Sequence, residues 1–340
     1  MIEIDGKKIG GDSKPYIIAE AGTNVQSDLH LAKAFIEEAA ASGADAIKFQ
    51  THLPDEEMVK SEMERIDRAD LFERLGRYVP TSAEEHYELL DHCRTNNISF
   101  LSTPFCVEAI GLLEEIGIAA YKIGSGELTN FHILKTAAET GKPLIVSTGM
   151  SDMAMVAKST QFLSNYTDEY SLLHCVSLYP AEKSRFNLGI IQRMKSVFGV
   201  PVGFSDHSIG VEASAIALAK GADIIEKHFT IDRRLPGNDQ VASIEPEELK
   251  QIVTYAELCH ATAGDSKEFF EDERPVHHWA RHSVVTTEEI ESGTLFSEQN
   301  LTTKRPNTGI SATQFYDILG RRSSCRIEPN TPLRENDIQQ

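Results

Sequence analysis

The chain has 340 residues, 41% of them hydrophobic and 25% charged, an ordinary globular composition that allows one large domain with a smaller one and a sizeable buried core. With 33 Lys+Arg against 52 Asp+Glu it carries a formal charge of −19, which repels nucleic acid and anionic membrane, so any bound anion needs a locally basic pocket. The start, Met1 to Gly6, lacks a basic leader and an apolar run, no later apolar run is long enough to span a bilayer, and the five scattered cysteines lack CxxC spacing; the expectation is a cytoplasmic protein without a disulfide framework or thiolate zinc site.

From Tyr16 to Phe229 one unit recurs: a short apolar or β-branched run, a polar cluster at its end, then a helical stretch. The strand candidates are Tyr16–Ala19, Ala46–Phe49, Ser99–Ser102, Ala120–Ile123, Leu144–Ser147, Ser171–His174, Pro201–Phe204 and Ile224–Lys227, eight in all. Intervening segments such as Leu29–Ser42, Val107–Ile116 and Val211–Lys220 carry apolar residues at helical spacing, and several end in Gly. Eight alternations predict a (β/α)8 TIM barrel; an open doubly wound sheet is the runner-up, disfavoured because no G-x-G-x-x-G opens a helix after the first strand.

A barrel builds its site from the loops after its strands. The polar clusters fall there: Glu20 and Asn24, Lys48 and Gln50, Ser102-Thr103, Lys122 with Ser125 and Glu127, Ser147-Thr148, His174 to Tyr179, Ser205-Asp206-His207, and Glu226-Lys227-His228. The stretch Ala120 to Glu127 puts a cation, a hydroxyl and a carboxylate beside two glycines, which suits a phosphate or carboxylate ligand. By itself it is equally a surface turn with a solvated Lys–Glu pair. His207 and His228, at the ends of adjacent strands, can reach one point and hold a divalent first-row ion. Lys48, Lys122 and Lys227 are expected to converge as three ammoniums on a bound anion. The long acidic connection from Leu53 to Val79, with helical stretches near 56–63 and 70–78, is as consistent with a lid as with a surface excursion.

The barrel domain is expected over 1–263, a charged linker over 264–280 and a small domain over 281–340. In the last, Ile290-Glu291-Ser292-Gly293-Thr294-Leu295-Phe296 with Asn300-Leu301 is echoed by Ile327-Glu328-Pro329-Asn330-Thr331-Pro332-Leu333 with Asp337-Ile338, which predicts a pseudo-symmetric unit of turns and short strands.

Ile18-Ala19-Glu20-Ala21-Gly22-Thr23-Asn24, Lys48-Phe49-Gln50-Thr51-His52, Ser102-Thr103-Pro104-Phe105, Tyr121 to Glu127, Ser147-Thr148-Gly149-Met150, Ser205-Asp206-His207 and Glu226-Lys227-His228-Phe229-Thr230 together resemble the sialic acid synthase family. The region from Lys304-Arg305-Pro306 through the repeat is similar to that family's antifreeze-like SAF domain, a small β-rich β-clip fold. The resemblance implies condensation of phosphoenolpyruvate (PEP) with an N-acyl hexosamine and water to a nine-carbon 2-keto acid and phosphate. It implies that Lys48, Thr103, Lys122, Ser125 and Ser205 hold PEP, and that His207 and His228 bind manganese, with magnesium or cobalt as alternatives. Glu20 and Glu127 would handle protons; Asn24, Gln50, Ser177, Tyr179, Lys227 and Asp239 join the substrate-binding set; and Arg305 would reach in from the partner of a domain-swapped homodimer.

The chain departs from the family pattern at Val25 and Ser27, where G-x-N-H-x-G has His and Gly, and at Ser177, where sialic acid synthases often have Asn. These positions leave the sugar open among N-acetylmannosamine and the precursors of legionaminic, pseudaminic and spore-coat acids. Two rival readings stand beside this one: a metal-free aldolase in which Lys122 forms an imine with pyruvate, and a non-catalytic sugar- or ice-binding protein led by the C-terminal region.

Overall fold

A hairpin of β1 (Ile2–Ile4) and β2 (Lys7–Ile9) precedes eight parallel strands in the computed structural model, which describes every residue except Val79 and Asn238. The eight are β3 (Tyr16–Glu20), β4 (Ala46–Thr51), β5 (Ser99–Pro104), β6 (Tyr121–Ile123), β7 (Leu144–Ser147), β8 (Tyr170–Cys175), β9 (Val202–Asp206) and β10 (Ile224–His228). They pair in sequence order, and β10 returns to β3 with Glu226 opposite Ile18 and His228 opposite Glu20, so the sheet is a closed barrel and the open-sheet alternative is excluded. The chain divides into two units, Met1–Ala263 and Gly264–Gln340.

Local sequence explains the helices that wrap the strands. Leu29–Ala41 starts at Asp28, whose carboxylate accepts from the backbone N–H groups of His30 and Leu31, and it buries Ala32, Phe35, Ile36 and Ala39 at helical spacing. Val107–Ile116 ends at Gly117 in the left-handed conformation, φ 76°, which a glycine adopts without steric cost.

Strand parity decides what faces the lumen. Its lower half is apolar: Tyr16, Ile18, Ala46, Leu101, Ala120, Ile145, Leu173 and Ile224 pack on Ile2, Ile4 and Ile9 of the hairpin, which floors the barrel. Lys7 ties the hairpin down by an ion pair to Asp45 (2.8 Å), whose other oxygen accepts from the Ile17 N–H.

The outer faces of β9 and β10 hold a buried ion pair. Lys227 Nζ lies 3.2 Å from Asp206 Oδ2, both side chains are fully buried, and the ammonium also donates to the Ser208 carbonyl. Asp206 is completed by the Ser208 N–H (2.8 Å) and the Ser214 hydroxyl (2.7 Å). Lys227 was expected at a bound anion; the structure corrects this, because it sits one residue out of phase with Glu226 and His228 and so points into the helical layer.

The connection after β4 forms three short helices, Pro54–Glu57, Lys60–Arg65 and Ala69–Leu75. Its last residue, Val79, lies outside the described residues. The segment read as a linker groups with the second unit, and its final residues, Arg274–Ala280, are helical.

In the second unit β11 (Ser283–Thr286) pairs antiparallel with β12 (Leu301–Lys304). The sequence repeat is structural: Ile290 and Ile327, equivalent positions, bond to each other as an antiparallel bridge, and the equivalent pairs Phe296/Leu333 and Leu301/Ile338 share one buried core. A repeat that pairs with itself gives a small unit a single core instead of two.

Replacing Lys227 with Met is expected to destabilise the chain by about 3–5 kcal/mol in urea melts, because Asp206 is left buried without its counter-charge. Adding Asp206→Asn in the same chain is expected to recover part of the loss; equal loss in the single and double variants would contradict the pairing.

Candidate active site

Moving two residues along each strand from the apolar layer keeps the parity and changes the chemistry. Ile18, Ala46, Leu101, Ala120, Ile145, Leu173, Gly203 and Ile224 are followed at that spacing by Glu20, Lys48, Thr103, Lys122, Ser147, Cys175, Ser205 and Glu226. All of this second ring is buried, which makes an enclosed polar chamber with an apolar floor.

Charges pair across the chamber. Lys48 Nζ lies 2.7 Å from Glu20 Oε2 and 3.7 Å from Glu226 Oε2, and donates to the Thr103 hydroxyl at 3.2 Å. Lys122 lies 3.7 Å from Glu226 Oε1 and donates to the Ser147 hydroxyl (2.7 Å), while Ser205 donates to Glu226 (2.9 Å). Burial opposes ionisation of Glu226, yet the ammoniums of Lys122 and Lys48 and the Ser205 hydroxyl outweigh it and hold the carboxyl down to about 2. For Glu20 burial prevails over Lys48, and the nearby Glu226 charge adds to it, so its pKa is pushed up to about 7. Burial lowers the basicity of Lys122 as well. Two carboxyls held at opposite ends of their range give one fixed charge and one group able to exchange a proton near neutrality.

The next layer carries the two imidazoles. His207 and His228 have ring centroids 5.4 Å apart, and the Tyr179 ring covers them at 4.0 Å and 5.6 Å. His207 Nδ1 donates to the Val176 carbonyl (2.9 Å), which fixes the tautomer and leaves Nε2 as the free lone pair, 3.4 Å from the Ser205 hydroxyl. That is the outer hydrogen bond a metal-ligating histidine ordinarily makes. His228 Nδ1 is buried without a hydrogen-bond partner, 3.8 Å from Asp239 Oδ2, and burial depresses its pKa toward the neutral, ligating form. No three His, Cys, Asp or Glu side chains among the described residues form a metal cluster by themselves. The donor set therefore fits a divalent ion that takes its remaining ligands from water or substrate.

Ser125 Oγ accepts from the Gly149 N–H (3.1 Å). A Cβ at residue 149 would lie 2.3 Å from Ser177 Oγ and 2.7 Å from Ser125 Oγ, so any side chain there would displace these two hydroxyls. Glu127 keeps one buried oxygen without a hydrogen-bond partner, and burial raises its pKa. Asp239 accepts from the Thr23 hydroxyl (3.0 Å), and Gln50 donates to Glu20 (2.8 Å).

Of the residues singled out in the sequence, Glu20, Lys48, Thr103, Lys122 and Ser205 line the chamber, with Gln50, His207 and His228 in the layer above and Ser125, Glu127, Ser177, Tyr179 and Asp239 around them. Asn24 is fully buried; its amide donates to the Phe229 carbonyl (3.0 Å) and the Ser243 hydroxyl (2.8 Å), and its Oδ1 has no hydrogen-bond partner. Lys227 lies outside the barrel wall. Arg305 belongs to the second unit, where it stacks on Trp279 at 5.4 Å. Glu226 was missed as a site residue, although parity from His228 points it into the lumen. Cys175 is buried, and its thiol lies 3.8 Å from His207 Nδ1.

Residues 35–268 match the model of the NeuB family, and residues 281–339 match that of the SAF domain. The chain is 38% identical to an N,N'-diacetyllegionaminic acid synthase of Campylobacter jejuni, over 95% of this chain and 99% of that one. It is 32% identical to a pseudaminic acid synthase of the same species, over 96% and 97%. A crystal structure of the N-acetylneuraminic acid synthetase of Leptospira borgpetersenii superposes with a TM-score of 0.74 at 36% identity, covering 81% of this chain and 94% of that one.

Because Glu20 is protonated more readily in the folded than in the unfolded chain, its contribution to stability falls as pH rises from about 4.5 to about 7. Glu20→Gln is therefore expected to raise stability at pH 8 by about 1–3 kcal/mol and to leave it unchanged near pH 4. A variant less stable than wild type at pH 8 would contradict the raised pKa.

Proposed function

The chain belongs to the NeuB family, and on that premise we propose that it is a nonulosonic acid synthase, joining PEP to an N-acyl hexosamine in the cytoplasm to give a nine-carbon 2-keto acid. The observation that carries this reading is the polar chamber, with two ammoniums, three hydroxyls and two carboxyls of opposite proton affinity enclosed above an apolar floor. Lys48 and Lys122 hold the carboxylate and phosphate of PEP with charge-assisted hydrogen bonds, supported by Thr103, Ser125 and Ser205. C3 of PEP attacks the sugar aldehyde, water adds at C2 and phosphate leaves. Glu20, with its raised pKa, delivers or accepts the proton that the aldehyde oxygen and the incoming water require, and Glu127 works from the loop beyond β6. Glu226 stays ionised and keeps the two ammoniums charged and in place. His207 and His228 would hold a divalent ion, manganese first and magnesium or cobalt after it, whose chemistry is polarisation of the sugar carbonyl. Gln50, Ser177, Tyr179 and Asp239 contact the sugar.

The relatives' names support an acid of the legionaminic or pseudaminic kind, whose precursor is a 6-deoxy diacetamido hexose, beside N-acetylmannosamine as the precursor of neuraminate. We further propose a domain-swapped homodimer in which Arg305, exposed and stacked on Trp279, meets the partner's sugar. Mixing Arg305→Ala and Glu127→Gln chains should then restore up to about half of the wild-type sites per heterodimer; heterodimers without activity would rule out the arrangement.

A second reading draws on Lys122, whose lowered basicity suits imine formation with pyruvate. Incubation with PEP, manganese and a panel of N-acyl hexosamines, with mass detection of the product, is expected to give the condensed acid and one phosphate per turnover. A borohydride-trapped pyruvate adduct on Lys122, without phosphate release from PEP, would favour the aldolase instead. His228→Ala is expected to abolish turnover and leave the melting temperature within a few degrees of wild type; full activity in metal-free buffer would remove the metal from the account.

A further inference from the structure

Gln50, at the mouth of β4, has its amide between a carboxyl, Glu20, and an imidazole, His52. Its Nε2 donates to Glu20 Oε1 (2.8 Å), and its Oε1 lies 3.0 Å from His52 Nε2. His52 Nδ1 in turn meets both oxygens of Glu57 at 3.1 Å, so the chain Glu57–His52–Gln50–Glu20 runs from the first turn of the excursion into the chamber. The imidazole and the Glu57 carboxylate are 5% and 7% exposed, and the ring is stacked on Phe105 at 4.1 Å and 10°, so its plane is fixed. Gly22 roofs the inner end. With φ 51° and no side chain it lets the loop after β3 lie over the pair; a Cβ would stand 3.0 Å from Glu20 Oε1 and 3.4 Å from Gln50 Nε2.

Counting donors and acceptors leaves two self-consistent arrangements. A carboxylate can only accept, so His52 Nδ1 carries a proton toward Glu57 in both. With the Gln50 amide oxygen toward His52, His52 Nε2 must also donate, the ring is an imidazolium and Glu20 is a carboxylate receiving an N–H. With the amide reversed, His52 Nε2 accepts from the Gln50 NH2, the ring is neutral and Glu20 is a carboxylic acid donating to the Gln50 carbonyl. Both arrangements hold the same number of protons, and passing from the first to the second takes a rotation of the amide together with loss of the His52 Nε2 proton to water and uptake of one proton from water by Glu20. The other groups facing Glu20 are Lys48, on its second oxygen, and Glu226 across Lys48.

We propose that His52 and Glu57 are positioning residues that set the orientation of the Gln50 amide, and so couple the seat of the 53–78 excursion to whether Glu20 faces a donor or an acceptor. Glu57 belongs to the excursion, so a displaced excursion removes the partner that fixes His52. This gives the excursion a function, and it rests on Glu20 handling protons in the proposed condensation.

The test uses two isosteres in the full-length chain. Glutamine at position 52 places its Nε2 where the imidazole Nε2 stood and keeps a donor to Gln50; asparagine places its Nδ2 where Nδ1 stood and keeps only the contact to Glu57. His52→Gln, which keeps the donor to Gln50 but loses Glu57, is expected to lose about 3- to 10-fold in kcat, and His52→Asn more, about 10- to 100-fold, both with an unchanged KM for PEP, the scale typical of outer-shell partners. Equal melting temperatures would show that both fold. Two variants that fall equally, or neither falling, would overturn the proposal, since filling space does not distinguish them. If wild type shows no PEP-dependent condensation, that reading fails by itself, and nitrogen NMR of histidine-labelled protein decides the chain: a proton on His52 Nδ1 supports it, and a ring protonated on Nε2 alone overturns it.

Discussion

Four buried charges in the barrel lumen, Glu20, Lys48, Glu226 and Lys122, set the terms for everything around them. An isolated charge in such a place is prohibitively costly, so each must be paired, and the pairing must hold without a ligand yet yield to one. Lys48 bridges both carboxylates and Lys122 leans on Glu226 and Ser147. On the proposed function, an arriving phosphate or carboxylate replaces the weaker contacts, at 3.7 Å, while the 2.7 Å pair between Lys48 and Glu20 remains to be used in chemistry. In a chain of net charge −19 this is where the proposed function places its anion.

The closed barrel is what makes that chamber rigid. Closure returns β10 to β3, which sets His228 beside Glu20 in register, and the hairpin floor of Ile2, Ile4 and Ile9 seals the bottom against water. Below, an apolar layer fixes the strands; two residues higher the same parity turns polar. On the outside of β9 and β10, Asp206 and Lys227 lock the two strands that carry the imidazoles. Chemistry and stability thus occupy alternate residues of the same strands, with one face supplying each.

Much of this was legible in the sequence because the barrel repeats one simple rule. Each strand candidate lies within a residue or two of an observed strand, and each polar cluster sits at a strand end. Parity applied strictly would have gone further. It would have moved Lys227 to the outer wall and brought Glu226 in, since His228 and Glu226 differ by two residues. Asn24 lies in the 3-10 turn after β3, where strand parity no longer says which way a side chain points. The His52–Glu57 contact lies across the start of a helix, five residues apart, where no periodic signal marks it. In the second unit the repeat announced pseudo-symmetry, while the bonding of Ile290 to its own equivalent, Ile327, is a long-range pairing that no local pattern marks.

The central claim is that the charged chamber makes a carbon–carbon bond from PEP by adding water at C2 and expelling phosphate with its bridging oxygen. It is tested most directly by following that oxygen. With PEP labelled by oxygen-18 at the C2–O–P bridge, the account predicts that the label appears in the released phosphate and that the new 2-keto acid takes its C2 oxygen from water. Label retained on C2, with unlabelled phosphate, would mean that the P–O bond is cleaved instead and would contradict the account.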